Sequence, residues 1–238
     1  MSSAIDRCHV NITSNVGMDF DWLLDYPDLL KICRLHQRYE LLNPISFVYK
    51  PLQGVKQNGP KCGLVALAML TNNPTENTVE KLYDRAKLDG YTHSGEMLSA
   101  SHLCKLATSV LDCDVELYEG SLCDEYIKEF LLEGGCMLVP YDTDKNHSPC
   151  LSQGHKAHWA VISGAILTRD DMYVIAKQGK SLHVAIWSLK SLAESNSQLR
   201  EFSPDRKDSE EEYIIPNGDI GGPLGLCNKS ILIKFGGR

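Results

Sequence analysis

The spacing of apolar residues changes about halfway along the chain. Residues 1–20 are polar and without pattern and read as an arm. Pro27 opens a predicted helix over 27–35, since proline suits the first turn. Residues 43–61, with three prolines and two glycines, read as irregular. Residues 62–70 are apolar on every side and stop at Asn72-Asn73-Pro74, as a buried helix does. Asn77 with Glu80 resembles a capping box for a helix to about Leu88, with Gly90 beyond its end. Ser94 reads as the cap of another, carrying Leu98, Leu103, Leu106 and Val110. A further helix is predicted over 124–133, stopped by Gly134-Gly135.

From there the apolar runs shorten to strand length. Residues 136–140 form one such run. Residues 158–162 and 172–176 flank a polar turn at 168–171 and predict a hairpin. Residues 183–187 are a further strand candidate, and Ser188 reads as the cap of a helix to Asn196. Residues 203–212, with Glu210-Glu211-Glu212, read as an exposed loop, and 213–215 and 230–235 as closing strands. Helices come first and a sheet follows, which predicts an α+β architecture. The expected organisation is an arm and helix over 1–42 and one domain over 43–238.

Composition narrows the function. The net charge of −7 and the absence of clustered Lys and Arg argue against a nucleic-acid or anionic-membrane partner. No apolar run approaches the ~18–20 residues of a membrane helix, and the start lacks a charged-then-apolar leader. Nine cysteines without a C-x-x-C pair fit a reducing cytosol in which most serve as small core residues. In that compartment the sequons at Asn11 and Asn228 carry no meaning.

The candidate chemistry lies in Gln57-Asn58-Gly59-Pro60-Lys61-Cys62-Gly63-Leu64. A Gly-Pro loop delivers Cys62 to the first turn of the buried helix, where unpaired N–H groups favour a thiolate and are expected to lower the thiol pKa. The Cys62 N–H and the Gln57 side-chain amide are the candidate oxyanion donors. Any buried helix can begin with a cysteine; Gln57 and the loop set this one apart. His158, which opens an apolar strand about a hundred residues later, is the candidate base, with Trp159 shielding it from water. A lone histidine is more often a core or edge residue, but the order Gln57, Cys62, His158 favours the base. Other chemistries fail on spacing. Gly179-Lys180-Ser181 lacks the earlier glycine of a phosphate loop, since Val174 stands there. Cys150, His155 and His158 lack a second compact ligand pair, so no metal is expected, nor any cofactor. A Gly-x-Ser-x-Gly elbow is absent, and Asp170-Asp171 sit in a predicted turn.

These segments resemble papain-fold, C39-like cysteine peptidases, and more closely the actin maturation protease family. The resemblance rests on Gln57 to Leu67, on Gly154-His155-Lys156-Ala157-His158-Trp159-Ala160-Val161, and on Ala176-Lys177-Gln178-Gly179-Lys180-Ser181. It rests also on Glu194-Ser195-Asn196-Ser197-Gln198-Leu199 with Phe202-Ser203-Pro204, and it spans roughly residues 45–236. It implies a papain-like fold and a cytoplasmic thiol aminopeptidase that removes the acetylated N-terminal residue of immature actin. Some members carry a proline-rich extension suited to profilin; no such stretch stands here, so no profilin link by that route is expected. Lys61, Lys156, Lys177 and Lys180 are candidates to receive an acidic substrate end, or are simply solvated. Papain-like sites orient the histidine with Asn or Asp on a following strand. The hairpin register puts 178–181 opposite His158, so Gln178 is the expected third member, unless it only borders the loop. A non-catalytic module binding actin or another protein, an acyltransferase, and a thiol peptidase of other substrates stay open.

Overall fold

The computed structural model describes residues 20–207 and 212–236. Nearly all of the predicted arm, with Cys8 and Asn11, and Glu210 and Glu211 of the charged loop lie outside the described residues. The elements in chain order are α1 (Pro27–Leu35), β1 (Ser46–Tyr49), α2 (Cys62–Ala68), α3 (Glu76–Leu88), α4 (Ala100–Val110), β2 (Asp114–Glu119) and α5 (Glu125–Leu132). They continue with β3 (Cys136–Thr143), β4 (Pro149–Cys150), β5 (Ala157–Leu167), β6 (Met172–Gln178), β7 (Ser181–Ser188), α6 (Leu189–Ser197), α7 (Pro204–Lys207) and β8 (Lys229–Lys234). The α+β expectation holds. All strand pairs are antiparallel in one sheet of order β2-β8-β3-β5-β6-β7, with β1 added to β5 and β4 to β3.

The sheet is covered on both faces, because alternate residues of its central strand face opposite ways. Trp159 and Val161 of β5 join α2, α3 and α4 in one apolar core, while Ala160 and Ile162 join α5 and α6 in another. A third core packs α1, through Leu29 and Cys33, against Phe47, Ile175 and Ile186. Every residue of α2 is buried, as its all-apolar sequence requires.

Several local readings need correction. The cap of α3 is Thr75, whose hydroxyl accepts the Thr78 N–H, rather than Asn77. Ser99, not Ser94, caps α4, and Val110 at its end is half-exposed. Ser188 does precede α6, but its hydroxyl bonds Asp171 instead of the helix. Residues 213–215 are not a strand; β8 alone closes the sheet. Within 203–212, residues 204–207 form the short helix α7. Three strands escaped prediction, among them the two-residue β4. β1 lies between Pro44 and Pro51, and β2 carries a weak alternation in which Val115 and Leu117 pack against one core and Tyr118 against the other.

Candidate active site

α2 begins at Cys62 because the chain before it cannot be helical. Gly59 sits at φ +70°, a left-handed conformation that glycine adopts at little cost. Val65 is the first residue whose N–H finds the i−4 acceptor, Lys61 O at 2.9 Å. The N–H groups of Cys62, Gly63 and Leu64 therefore lead the helix without such a partner. Gly63 is needed for packing: a Cβ there would meet Met97 Cβ at 3.0 Å and Trp159 Cδ1 at 3.1 Å. The Trp159 ring is fixed over this start by its Nε1–H, which donates to Met97 O at 2.8 Å.

The sulfur of Cys62 thus meets β5 at the residue after His158. Backbone N–H groups of Trp159 and Gly63 point at it and favour the thiolate, as does the Lys180 ammonium. Burial acts the other way and wins, pushing the thiol up from its usual range. The expectation that the helix start alone would lower the thiol pKa is therefore corrected. Cys62 is 9% exposed, and losing water costs the anion more than the first-turn amides return.

His158 is also buried. It opens β5 opposite Tyr141 of β3, whose ring meets the imidazole edge-on with centroids 5.8 Å apart. The β5–β6 ladder ends at Val161 and Lys177 after a bulge at Ser163, so β6 turns away before it can pair with His158. Gln178 spans the gap with its side chain, its Oε1 lying 3.2 Å from His158 Nε2. The same oxygen accepts the Lys180 backbone N–H at 2.7 Å. A backbone N–H can only donate, so the atom between them must be the carbonyl oxygen, and His158 Nε2 must carry the proton. Nδ1 is left with the lone pair. Burial and Lys180 hold the imidazolium unfavourable and depress the His158 pKa to about 4, against a smaller opposing effect of Gln178. At neutral pH the resting pair is a thiol and a neutral imidazole. Among the described residues no hydrogen bond joins Cys62 to His158; free enzymes often close such bonds only around substrate.

Gln57 is brought to the same place through its backbone N–H, which donates to Gly179 O at 2.7 Å. A side chain at Gly179 would meet Gln57 Cβ at 2.7 Å and Val65 Cγ1 at 2.9 Å, so this glycine allows the loop, α2 and the β6–β7 turn to converge. The Gln57 Nε2 donates to Gly59 O at 2.6 Å, leaving its second N–H for another acceptor.

The four candidate lysines fare differently. Lys61 Nζ is held between the two carboxylate oxygens of Glu80, at 2.7 and 2.8 Å. Lys177 is buried and donates to Leu52 O at 2.6 Å. Lys156 is exposed. Lys180 is exposed and is the lysine whose charge acts on both Cys62 and His158. Sequence reasoning missed Glu96, a buried acid beside Cys62 that pairs with Arg206. Arg206 lies over the rings of Phe202 and Tyr213. It also missed Tyr141 and Asp142, whose partners come from distant segments that no local pattern links. The eight described cysteines are all free. Among the described residues no group of His, Cys, Asp or Glu is placed to hold a metal ion. No described helix is long and apolar enough to cross a membrane.

Residues 52–166 match the family described as actin maturation protease-like, C-terminal domain. The actin maturation protease of Drosophila melanogaster is 39% identical over 94% of this chain and 83% of its own length. The chain belongs to the actin maturation protease family. The family's proteins from zebrafish (Danio rerio) and mouse (Mus musculus) are 37% and 35% identical, over 74% and 75% of this chain and 70% and 61% of their own lengths. A crystal structure of a putative C39-like peptidase from Bacillus anthracis overlaps 79% of this chain and all of its own, at 12% identity and TM-score 0.48. Membership in the actin maturation protease family supports a peptidase role.

Proposed function

We propose that this chain is a cytoplasmic cysteine-type aminopeptidase that removes the acetylated N-terminal residue of immature actin. The observation that carries the reading is the fixed tautomer of His158. With Nε2–H held by Gln178 Oε1, Nδ1 is free to take a proton. The Cys62 thiol gives its proton to Nδ1 as Sγ attacks the carbonyl carbon of the scissile bond. The oxyanion is received by the Cys62 N–H and the free Gln57 N–H. His158 then protonates the departing amine of shortened actin, leaving a thioester to the acetylated residue. Water, deprotonated by His158, hydrolyses that thioester and restores the thiol. Because Gln178 is neutral, it orients the ring but stabilises the imidazolium less than a carboxylate would.

Lys180 is the favoured receiver of an acidic substrate end, because Lys61 and Lys177 are already engaged and its charge, unlike that of Lys156, acts on both Cys62 and His158. The deciding experiment is incubation with immature actin and mass analysis of its N-terminus, with Cys62→Ala as the control. Loss of the acetylated residue with the wild type alone supports the reading. An unchanged actin terminus, with folded enzyme, refutes it. A second reading, a non-catalytic module that binds actin, is favoured by one observation: a thiol so buried is typical of inert structural cysteines. Selective alkylation of Cys62 ahead of the other cysteines counts against it.

A further inference from the structure

The segment from Glu194 to Leu199 has no part in the chemistry above, yet two of its polar side chains, Ser195 and Gln198, bond one buried acid, Asp142. Asp142, near the end of β3, is wholly buried. Its carboxylate oxygens accept four N–H donors, none from a cationic side chain. Oδ2 takes the backbone N–H of Ser152 at 2.9 Å and of Gly154 at 2.8 Å, and the Gln198 Nε2–H at 2.6 Å. Oδ1 takes the Lys156 N–H at 2.9 Å. Ser195 Oγ accepts the Asp142 N–H at 2.9 Å and lies 2.7 Å from Cys150 O. Gln198 also donates to Ser195 O and accepts the Gln153 N–H. Each end of its amide is therefore committed.

Three alternate N–H groups of one loop converging on a carboxylate make an anion nest, and the loop is bent to do it. Gln153 and Gly154 sit at φ +58° and +101°, and a Cβ on Gly154 would meet Ile220 Cδ1 at 2.5 Å and Glu201 O at 2.6 Å. The loop feeds directly into β5. Ala157 stands in register opposite Asp142, and His158 opposite Tyr141. We propose that Asp142 is a positioning residue for the reaction: with Ser195 and Gln198, its carboxylate gathers the 150–156 loop and sets where β5 begins, and so where the His158 imidazole stands. The proposal rests on the reading of His158 as the base. It gives the 194–199 segment a task, that of holding the far side of the cradle.

The test is Asp142→Asn in the full chain. The amide keeps the shape but offers one acceptor oxygen to four donors. If that oxygen stays in place of Oδ2, the new NH2 faces the Lys156 N–H, two residues before His158. The expected result is a folded protein whose His158 titration, followed by NMR, rises by about one pKa unit or more as the ring loses its fixed surroundings. The kcat on an actin N-terminal peptide falls about tenfold or more while KM stays within about threefold. Thr75→Ala, which removes the α3 cap, is the control for a purely structural loss and leaves the His158 titration and kcat as in the wild type. Should Asp142→Asn fail to fold, Gln198→Ala, which removes one of the four donors to the carboxylate together with the acceptor of the Gln153 N–H, is expected to shift both readouts the same way by less. A folded variant with wild-type titration and wild-type kcat overturns the proposal. If the wild type itself leaves actin uncut, the His158 titration alone decides it, so the peptidase reading and the positioning role fail separately.

Discussion

The state of His158 makes folding stability depend on pH in a way that one substitution isolates. In the folded chain its pKa is depressed to about 4, mainly by burial, from an ordinary value of 6.5. The unfolded chain therefore binds the proton more readily than the folded one. Stability from this group is fully present above about 6.5 and is lost as pH falls through the window between 6.5 and 4. At ~1.36 kcal/mol per unit, the loss from pH 7 is about 2 kcal/mol by pH 5 and about 3 kcal/mol by pH 4. His158 is 3% exposed, so solvent screening removes little of this. His158→Asn keeps a polar side chain and removes the titration. Urea unfolding of both proteins at pH 7, 5 and 4 gives the difference in stability at each pH. That difference should move in favour of the variant by about 3 kcal/mol between pH 7 and pH 4, whatever the carboxylates common to both proteins contribute. A difference that stays constant with pH would mean that His158 is not held neutral by burial, and the proton assignment at Nε2 and Nδ1 would fall with it.

Gln57→Ala should lower kcat on an actin N-terminal peptide by about 10²–10³, the usual cost of one oxyanion donor, with KM little changed; a change in KM alone removes Gln57 from that role. Gly179→Ala should reduce kcat and cost about 1–3 kcal/mol of stability in urea, because its Cβ would press on Gln57 and Val65; wild-type values for both would show that the turn yields freely. Lys180→Glu should weaken cleavage of acidic ends more than of neutral ones, read as the ratio of kcat/KM for paired peptides, whereas equal losses would deny Lys180 a part in specificity.

What the sequence made legible followed from local rules. α1, α2, α5 and the β5–β6 hairpin were predicted because proline, an all-apolar run, a Gly-Gly stop and paired apolar runs each act within a few residues. The position of Cys62 at a helix start was legible for the same reason. The pairing of His158 with Gln178 came from counting register, although the count omitted the bulge at Ser163. What stayed hidden depends on surroundings that no local pattern encodes. The direction of the Cys62 shift was misjudged because a helix terminus is visible in sequence while the depth of burial over it is not. Lys61 and Lys177 looked as available as Lys180 until Glu80 and Leu52 O were seen to hold them.

Asp142 shows the same division most sharply. In sequence it is one acid near the end of an apolar run, which usually marks a strand leaving the core for water. In the fold it is wholly buried, and its donors come from residues 152–156 and 198. A buried carboxylate without a cation is tolerable only when several N–H groups are fixed around it. Those N–H groups are fixed only because Gln153 and Gly154 adopt left-handed backbone and Gln198 is tied at both ends of its amide. The cost of burying the charge is thus recovered only in the complete arrangement. The loop before β5 has one low-energy course, and the imidazole that follows it inherits that course.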